Sequence, residues 1–251
     1  MPPSSRPPAR NRPGGQPYLA IAAICWLLFG LTVLAMLGGG MEGFDRRGLQ
    51  FWREGPEPSP FLLEAMRDIT AFGGVVPRNL IALGGAGALA MLGARRLALW
   101  LVLTVGLGWL ANSGAKLLFD RARPDLVPHL MEVAGASLPS GHSFNGAVVY
   151  LALALAFAGF AHTRGARIAM VAAAVLLSLA IAFSRVWLGV HYPSDVIAGW
   201  LGGAGWAFLA AALAVQPSHV SGGRATENRP ASREAKRASP TNQPPSSPSD
   251  T

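Results

Sequence analysis

Charged side chains are scarce in this sequence: Asp, Glu, Lys and Arg together make up 14% of its 251 residues. So little charge beside 51% hydrophobic residues excludes an ordinary soluble domain. Cysteine occurs once, at Cys25, so no disulfide framework exists, and its place inside an apolar run marks it as a packing residue. No zinc-ligand spacing, GxGxxG or Walker sequence occurs. The net charge of +8 raises the question of a polyanionic partner. Its basic residues, however, cluster in the tails and in short breaks between apolar runs, where they set membrane orientation. No nucleic-acid partner is expected.

What the chain does have is long apolar runs. Tyr18–Leu37 is about long enough to cross a hydrocarbon core of roughly 30 Å. No small-x-small cleavage site follows it, so a retained anchor is expected rather than a signal peptide. Further spans are expected at Val75–Leu92, Leu97–Ala115, Ser143–Ala161, Ile168–Phe183 and Val196–Val215. Arg78, near the start of the second, is expected to snorkel to the interface. Pro60–Phe72 reads as an amphipathic helix on the membrane surface, within an otherwise polar stretch over 42–74. The fold class is therefore all-α and polytopic, with six transmembrane helices and one interfacial helix. Residues 18–215 form the membrane domain. The Pro-, Arg- and Ser-rich tails, 1–17 and 216–251, are expected to be disordered.

Six spans put both termini on one side. Arg6, Arg10, Arg12, Arg95, Arg96, Arg164, Arg167, Arg224, Arg229, Arg233, Lys236 and Arg237 fall there, opposed only by Glu227, Glu234 and Asp250. The bias places the termini in the cytoplasm.

Three polar segments then emerge together on the opposite, periplasmic face. Lys116–Pro124 ends span three, Pro139–His142 opens span four, and Ser184–Asp195 joins spans five and six. They gather Lys116, Arg121, Arg123, Arg185, His142, His191 and Asp195 on one surface, a set suited to phosphate. Arginine offers a planar fork to phosphate oxygens and lysine a point charge. Ser140, Gly141 and His142 precede an apolar helix whose N-terminal N–H groups can receive an anion. Pro193 fits the first turn of span six. Asp195, in that turn, can reach back to one ring nitrogen of His191 and fix the tautomer, which leaves the other nitrogen to attack phosphorus. His142 can protonate the leaving oxygen.

Taken singly, each feature has a plainer reading: an interfacial lysine or arginine, a turn before a helix, a structural His–Asp hydrogen bond. Their joint occurrence on one face outweighs those. His129, His162 and His219 read as loop residues, Asp120, Asp125 and Glu132 as solvated charges, and Trp187 and Tyr192 as interfacial aromatics.

Lys116, Arg123 and Pro124, then Pro139, Ser140, Gly141 and His142, then Ser184, Arg185, His191 and Asp195 stand in order and at characteristic spacing. In this the chain resembles the type 2 phosphatidic acid phosphatase (PAP2) superfamily, over a core of about residues 60–213. The resemblance implies a six-helix membrane fold and metal-independent hydrolysis through a phosphohistidine, with no metal and no cofactor. It makes His191 the nucleophile, Asp195 its orienting partner and His142 the general acid. Lys116, Arg123, Arg185, Ser140 and Gly141 hold the phosphate.

The implied substrate is a lipid phosphate or diphosphate, such as undecaprenyl diphosphate, phosphatidylglycerol phosphate or phosphatidic acid, met at the outer face of a bacterial inner membrane. Transfer of the phosphoryl group to a lipid or sugar acceptor needs the same first step and is the alternative. A scaffold that lost the chemistry is disfavoured by an intact His142, His191 and Asp195. The related vanadium haloperoxidases are soluble, and six spans argue against that branch. Neither substrate identity nor oligomeric state is coded by a recognisable motif.

Overall fold

A computed structural model describes residues 15–53 and 57–214, all within one compact unit. The two tails expected to be disordered lie outside the described residues, apart from residues 15–17, where a helix already begins. The described residues form eight helices and no strands: α1 (Gln16–Leu37), α2 (Glu42–Arg53), α3 (Pro60–Ala71), α4 (Val75–Met91), α5 (Arg95–Phe119), α6 (Gly141–Ala158), α7 (Arg164–Trp187) and α8 (Pro193–Ala214).

α1, α5, α6, α7 and α8 are each long and apolar enough to cross a membrane. α3 and α4 make a sixth span if this pair, bent by 49°, counts as one broken crossing. α4 matches the expected second span, but its 17 residues reach only about 26 Å at 1.5 Å per residue, short of the roughly 30 Å core. The helices also run past the apolar stretches that betray them. α7 starts at Arg164, four residues before the apolar run, because the Thr163 hydroxyl caps it by accepting from the Ala166 N–H at 3.1 Å. α5 continues to Phe119 and stops at Asp120, which takes up a left-handed conformation (φ 39°).

α6 is the axis of the bundle. It is apolar on every side and buried along most of its length, with α5, α7 and α8 around it. α1 covers α8, and Cys25, buried as expected of a packing residue, lies with Trp26 against Gly205. Three tryptophan N–H groups inside the bundle are satisfied between helices, as a lipid-embedded fold favours. Trp100 donates to the Ala210 carbonyl at 3.0 Å, Trp206 to the Thr104 carbonyl at 2.9 Å, and Trp200 to the Ser178 hydroxyl at 2.9 Å. Leucines such as Leu27, Leu34 and Leu80 face outward on the surface that lipid would coat.

Two expectations are overturned. Arg78 does not snorkel: it is only 4% exposed, and its guanidinium donates to the Gly73 carbonyl at 3.1 Å inside the α3–α4 bend. Trp187 is not an interfacial aromatic but is buried with Leu188 and Val190 against Leu63 and Met66 of α3. α2 was also unexpected. It packs on α7 and α8 through Asp45 and Leu49, one turn apart on its buried face.

Candidate active site

The C-terminal end of α5, the N-terminal ends of α6 and α8 and the C-terminal end of α7 meet at one end of the bundle. That juxtaposition brings the three polar segments together. Gly199 makes the closest approach possible. A Cβ there would lie 2.8 Å from the Ser140 carbonyl oxygen, so only glycine lets α8 pass the turn before α6.

His191, in the short link between α7 and α8, is almost completely buried. The expected direct contact with Asp195 is absent: Nδ1 and Oδ2 are 3.7 Å apart, too far for a hydrogen bond. The hydroxyl of Ser137 bridges them, donating to Asp195 Oδ2 at 2.5 Å and standing 3.2 Å from His191 Nδ1. On the other side of the ring, Arg123 Nη1 lies 3.1 Å from Nε2. A guanidinium has no acceptor, so Nε2 must accept, and the ring proton sits on Nδ1, facing Ser137. The tautomer is thus set from both sides, with the Nε2 lone pair pointing at Arg123. Burial pushes the His191 pKa down to about 4; Asp195 opposes the shift, while the Arg185 and Arg123 charges add to it. The ring is held neutral.

Around it stand three cations with no carboxylate within ion-pair distance among the described residues. Lys116, in the last turn of α5, donates to the Ala136 carbonyl at 2.5 Å. Arg123 is fixed by the carbonyls of Ala134, Gly135 and Val190, each at 2.9 Å, and burial pulls its pKa below the ordinary value. Arg185 is 1% exposed; among the described residues its guanidinium meets the Thr70 hydroxyl at 3.0 Å and the Met131 sulfur at 2.9 Å, and its Nε has no partner. Burying such a charge beside neutral acceptors is costly unless an anion completes the site.

His142 stands in the first turn of α6 with no side-chain hydrogen-bond partner among the described residues. A Cβ on Gly73 would come within 2.9 Å of its ring, so the α3–α4 bend lies directly against it. Ser140 is buried. Its N–H is engaged by the Asp195 carbonyl at 3.2 Å and its hydroxyl accepts from Ser143 at 3.0 Å. The N–H groups of Gly141 and His142 then begin the unpaired first turn of the helix.

The eight residues to which the resemblance gave roles therefore converge on one end of the bundle. Sequence reasoning missed Ser137, which has no motif, and Asn112, buried one turn before Lys116 and against Gly141 with its Oδ1 lacking a partner. It also missed the pairing of Arg121. This guanidinium grips Asp195 Oδ1 at 2.6 Å and Asp45 Oδ2 of α2 at 2.8 Å, with the Tyr192 ring 4.4 Å from its carbon. Burial works against its charge, but Asp195 and Asp45 outweigh it and hold its pKa above the ordinary value. Tyr192, read from the sequence as an interfacial aromatic, is half-buried and supplies this platform. His129 is a loop residue as expected, its Nε2 2.7 Å from the Pro124 carbonyl, and His219 lies outside the described residues. No cluster of three or more His, Cys, Asp or Glu able to hold a metal occurs among the described residues.

Residues 69–217 match the PAP2 superfamily. The chain is 35% identical over 148 residues to phosphatidylglycerophosphatase B of Bacillus subtilis, a match covering 56% of this chain and 70% of that one. It is 38% identical over 115 residues to lipid A 1-phosphatase of Rhizobium etli, covering 42% of this chain but only 44% of that protein's length. Among solved structures, it is similar to the crystal structure of a transmembrane PAP2-type phosphatidylglycerolphosphate phosphatase from Bacillus subtilis. The TM-score is 0.69 at 26% identity, over 77% of this chain and 95% of that one.

Proposed function

The chain belongs to the PAP2 superfamily, and from that premise we propose that it hydrolyses a lipid phosphate or diphosphate through a phosphohistidine on His191. The observation that carries this reading is the set of three cations, Lys116, Arg123 and Arg185, without carboxylate partners among the described residues, around a neutral, tautomer-fixed imidazole.

The phosphate enters among those cations and the Ser140–Gly141 turn, and its oxygens replace His191 Nε2 as the acceptor for Arg123. Nε2 then attacks phosphorus. An N–P bond forms as the P–O bond to the lipid breaks, and His142 gives its proton to the departing oxygen. Asp195, acting through Ser137, stabilises the positive charge that develops on the ring. Water, deprotonated by His142, next attacks phosphorus, the N–P bond breaks, and inorganic phosphate leaves. Cationic side chains supply the charge neutralisation that metal-dependent phosphatases obtain from an ion, so the reaction needs none.

Phosphatidylglycerol phosphate, phosphatidic acid and undecaprenyl diphosphate all fit this chemistry. Purified protein in detergent should release inorganic phosphate from at least one of them with no acceptor added, and His191→Ala should abolish the release. No release from any of the three, or full activity in His191→Ala, would refute the proposal. The positive-inside bias places the site on the periplasmic face of the inner membrane, with both termini in the cytoplasm. A reporter fused near Val127 that scored as cytoplasmic would reverse this orientation.

A further inference from the structure

α2 belongs to none of the three motif segments, yet its Asp45 is joined to His191 by a string of four polar contacts. Asp45 is 1% exposed and accepts three hydrogen bonds: from the Ser194 N–H at 2.9 Å, the Ser194 hydroxyl at 2.6 Å and Arg121 Nη2 at 2.8 Å. Arg121 Nη1 donates to Ser194 Oγ at 2.9 Å and to Asp195 Oδ1 at 2.6 Å. The other oxygen of Asp195 serves the Tyr192 N–H at 3.0 Å and the Ser137 hydroxyl that faces His191. One uninterrupted string therefore runs from Asp45 through Arg121, Asp195 and Ser137 to His191.

We propose that Asp45 and Arg121 are positioning residues for the phosphate-transfer site, with Asp45 setting how much negative charge Asp195 presents to His191. The argument rests on charge balance. Arg121 is a single cation shared between two buried carboxylates. Because Asp45 occupies one end of its fork, Arg121 orients the Asp195 carboxylate without neutralising it, and Asp195 keeps its charge for Ser137 and the ring. Without the Asp45 charge, the whole guanidinium would fall to Asp195, and the support for positive charge on His191 would weaken. Asp45 also caps the first turn of α8, where the Ser194 N–H has no helical partner. An asparagine could keep the cap, because its carbonyl oxygen accepts from that N–H while its charge is gone.

The inference rests on His191 as nucleophile, and the experiment separates the two. In detergent, on whichever lipid phosphate the protein turns over, Asp45→Asn should lower kcat about tenfold or more, within the range of coupling seen for buried networks. KM should change less than about threefold, since Asp45 touches no substrate. In an Arg121→Gln background there is no cation left to rebalance, so adding Asp45→Asn should cost less than about threefold in kcat. Equal losses in both backgrounds would reduce Asp45 to a helix cap and overturn the proposal, as would a rise in KM at constant kcat. If Asp45→Asn does not fold, Arg121→Gln alone decides: unchanged kcat overturns the proposal, and a fall in kcat at constant KM supports it. Full activity in His191→Ala would instead remove the parent reading.

Discussion

Replacing Ser137 by alanine tests the bridge between Asp195 and His191 directly. The substitution removes one oxygen from a buried position and leaves the two groups 3.7 Å apart with nothing between them. Asp195 stays anchored by Arg121 and by the Tyr192 N–H, so the carboxylate should hold its place. What disappears is the path by which its charge reaches Nδ1. That path matters most as Nε2 bonds to phosphorus and the ring becomes cationic, so its loss should appear in kcat. A hydrogen bond to a charged group contributes about 1.5–3 kcal/mol net. At about 1.4 kcal/mol per tenfold, kcat should fall roughly 10- to 100-fold. Loss of the orienting carboxylate itself, in Asp195→Asn, should cost more, toward the roughly 10⁴-fold known for triad carboxylates. The assay is steady-state phosphate release in detergent, with folding checked by a thermal melt. A loss below threefold would mean that the ring can swing to contact Asp195 directly, and a loss equal to that of Asp195→Asn would mean that Ser137 holds the carboxylate in place. Either result would refute the relay.

The two histidines should separate on leaving-group quality. His191→Ala should abolish turnover of every substrate, whereas His142→Ala should slow a lipid monoester by about 10²–10⁴-fold and a diphosphate much less, because a phosphate monoester departs readily without a proton; equal losses would remove His142 as general acid. The acid limb of kcat/KM should lie near pH 4, once the substrate's own ionisation near about 6 is accounted for. The sign follows from burial. His191 is neutral in the fold down to about 4, so the nucleophile persists to that pH, whereas an unfolded histidine protonates below about 6.5, so the stability of holding the ring neutral is fully present only above 6.5. That stability drains away as pH falls through this window, and a limb at 6.5 would contradict it. Activity should survive EDTA and be inhibited by vanadate, a mimic of five-coordinate phosphorus; full loss with chelator, restored by magnesium, would refute the cation-based mechanism.

Span placement and the convergence of Lys116, His142 and His191 were legible in the sequence for one physical reason: lipid sorts residues by hydropathy, and span parity alone decides which ends share a side. Arg78 shows the limit of that rule. An arginine near a helix end looks the same in sequence whether it reaches for water or, as here, for a carbonyl freed by a bend at Gly73. α2 escaped notice because it is short and its polar face dilutes the apolar one. Its key residue pairs with groups 76 and 149 positions away, a link no local pattern records. Ser137 was invisible for the opposite reason, since a lone serine in a loop carries no signal until Asp195 and His191 are seen to miss each other by the width of one hydroxyl.

The bond between Arg123 Nη1 and His191 Nε2 has a bearing on chemical selectivity. An imidazole lone pair is attractive to many reagents, among them soft metal ions, acyl donors and alkylating agents. Here the lone pair is already committed to a guanidinium, which neutral electrophiles and cations have no means to draw away. A species carrying anionic oxygens can give Arg123 a better acceptor than the ring nitrogen. In the proposed mechanism His191 is thus uncovered by the same charge that identifies the substrate, and the wrong partners are refused by the residue that would bind the right one.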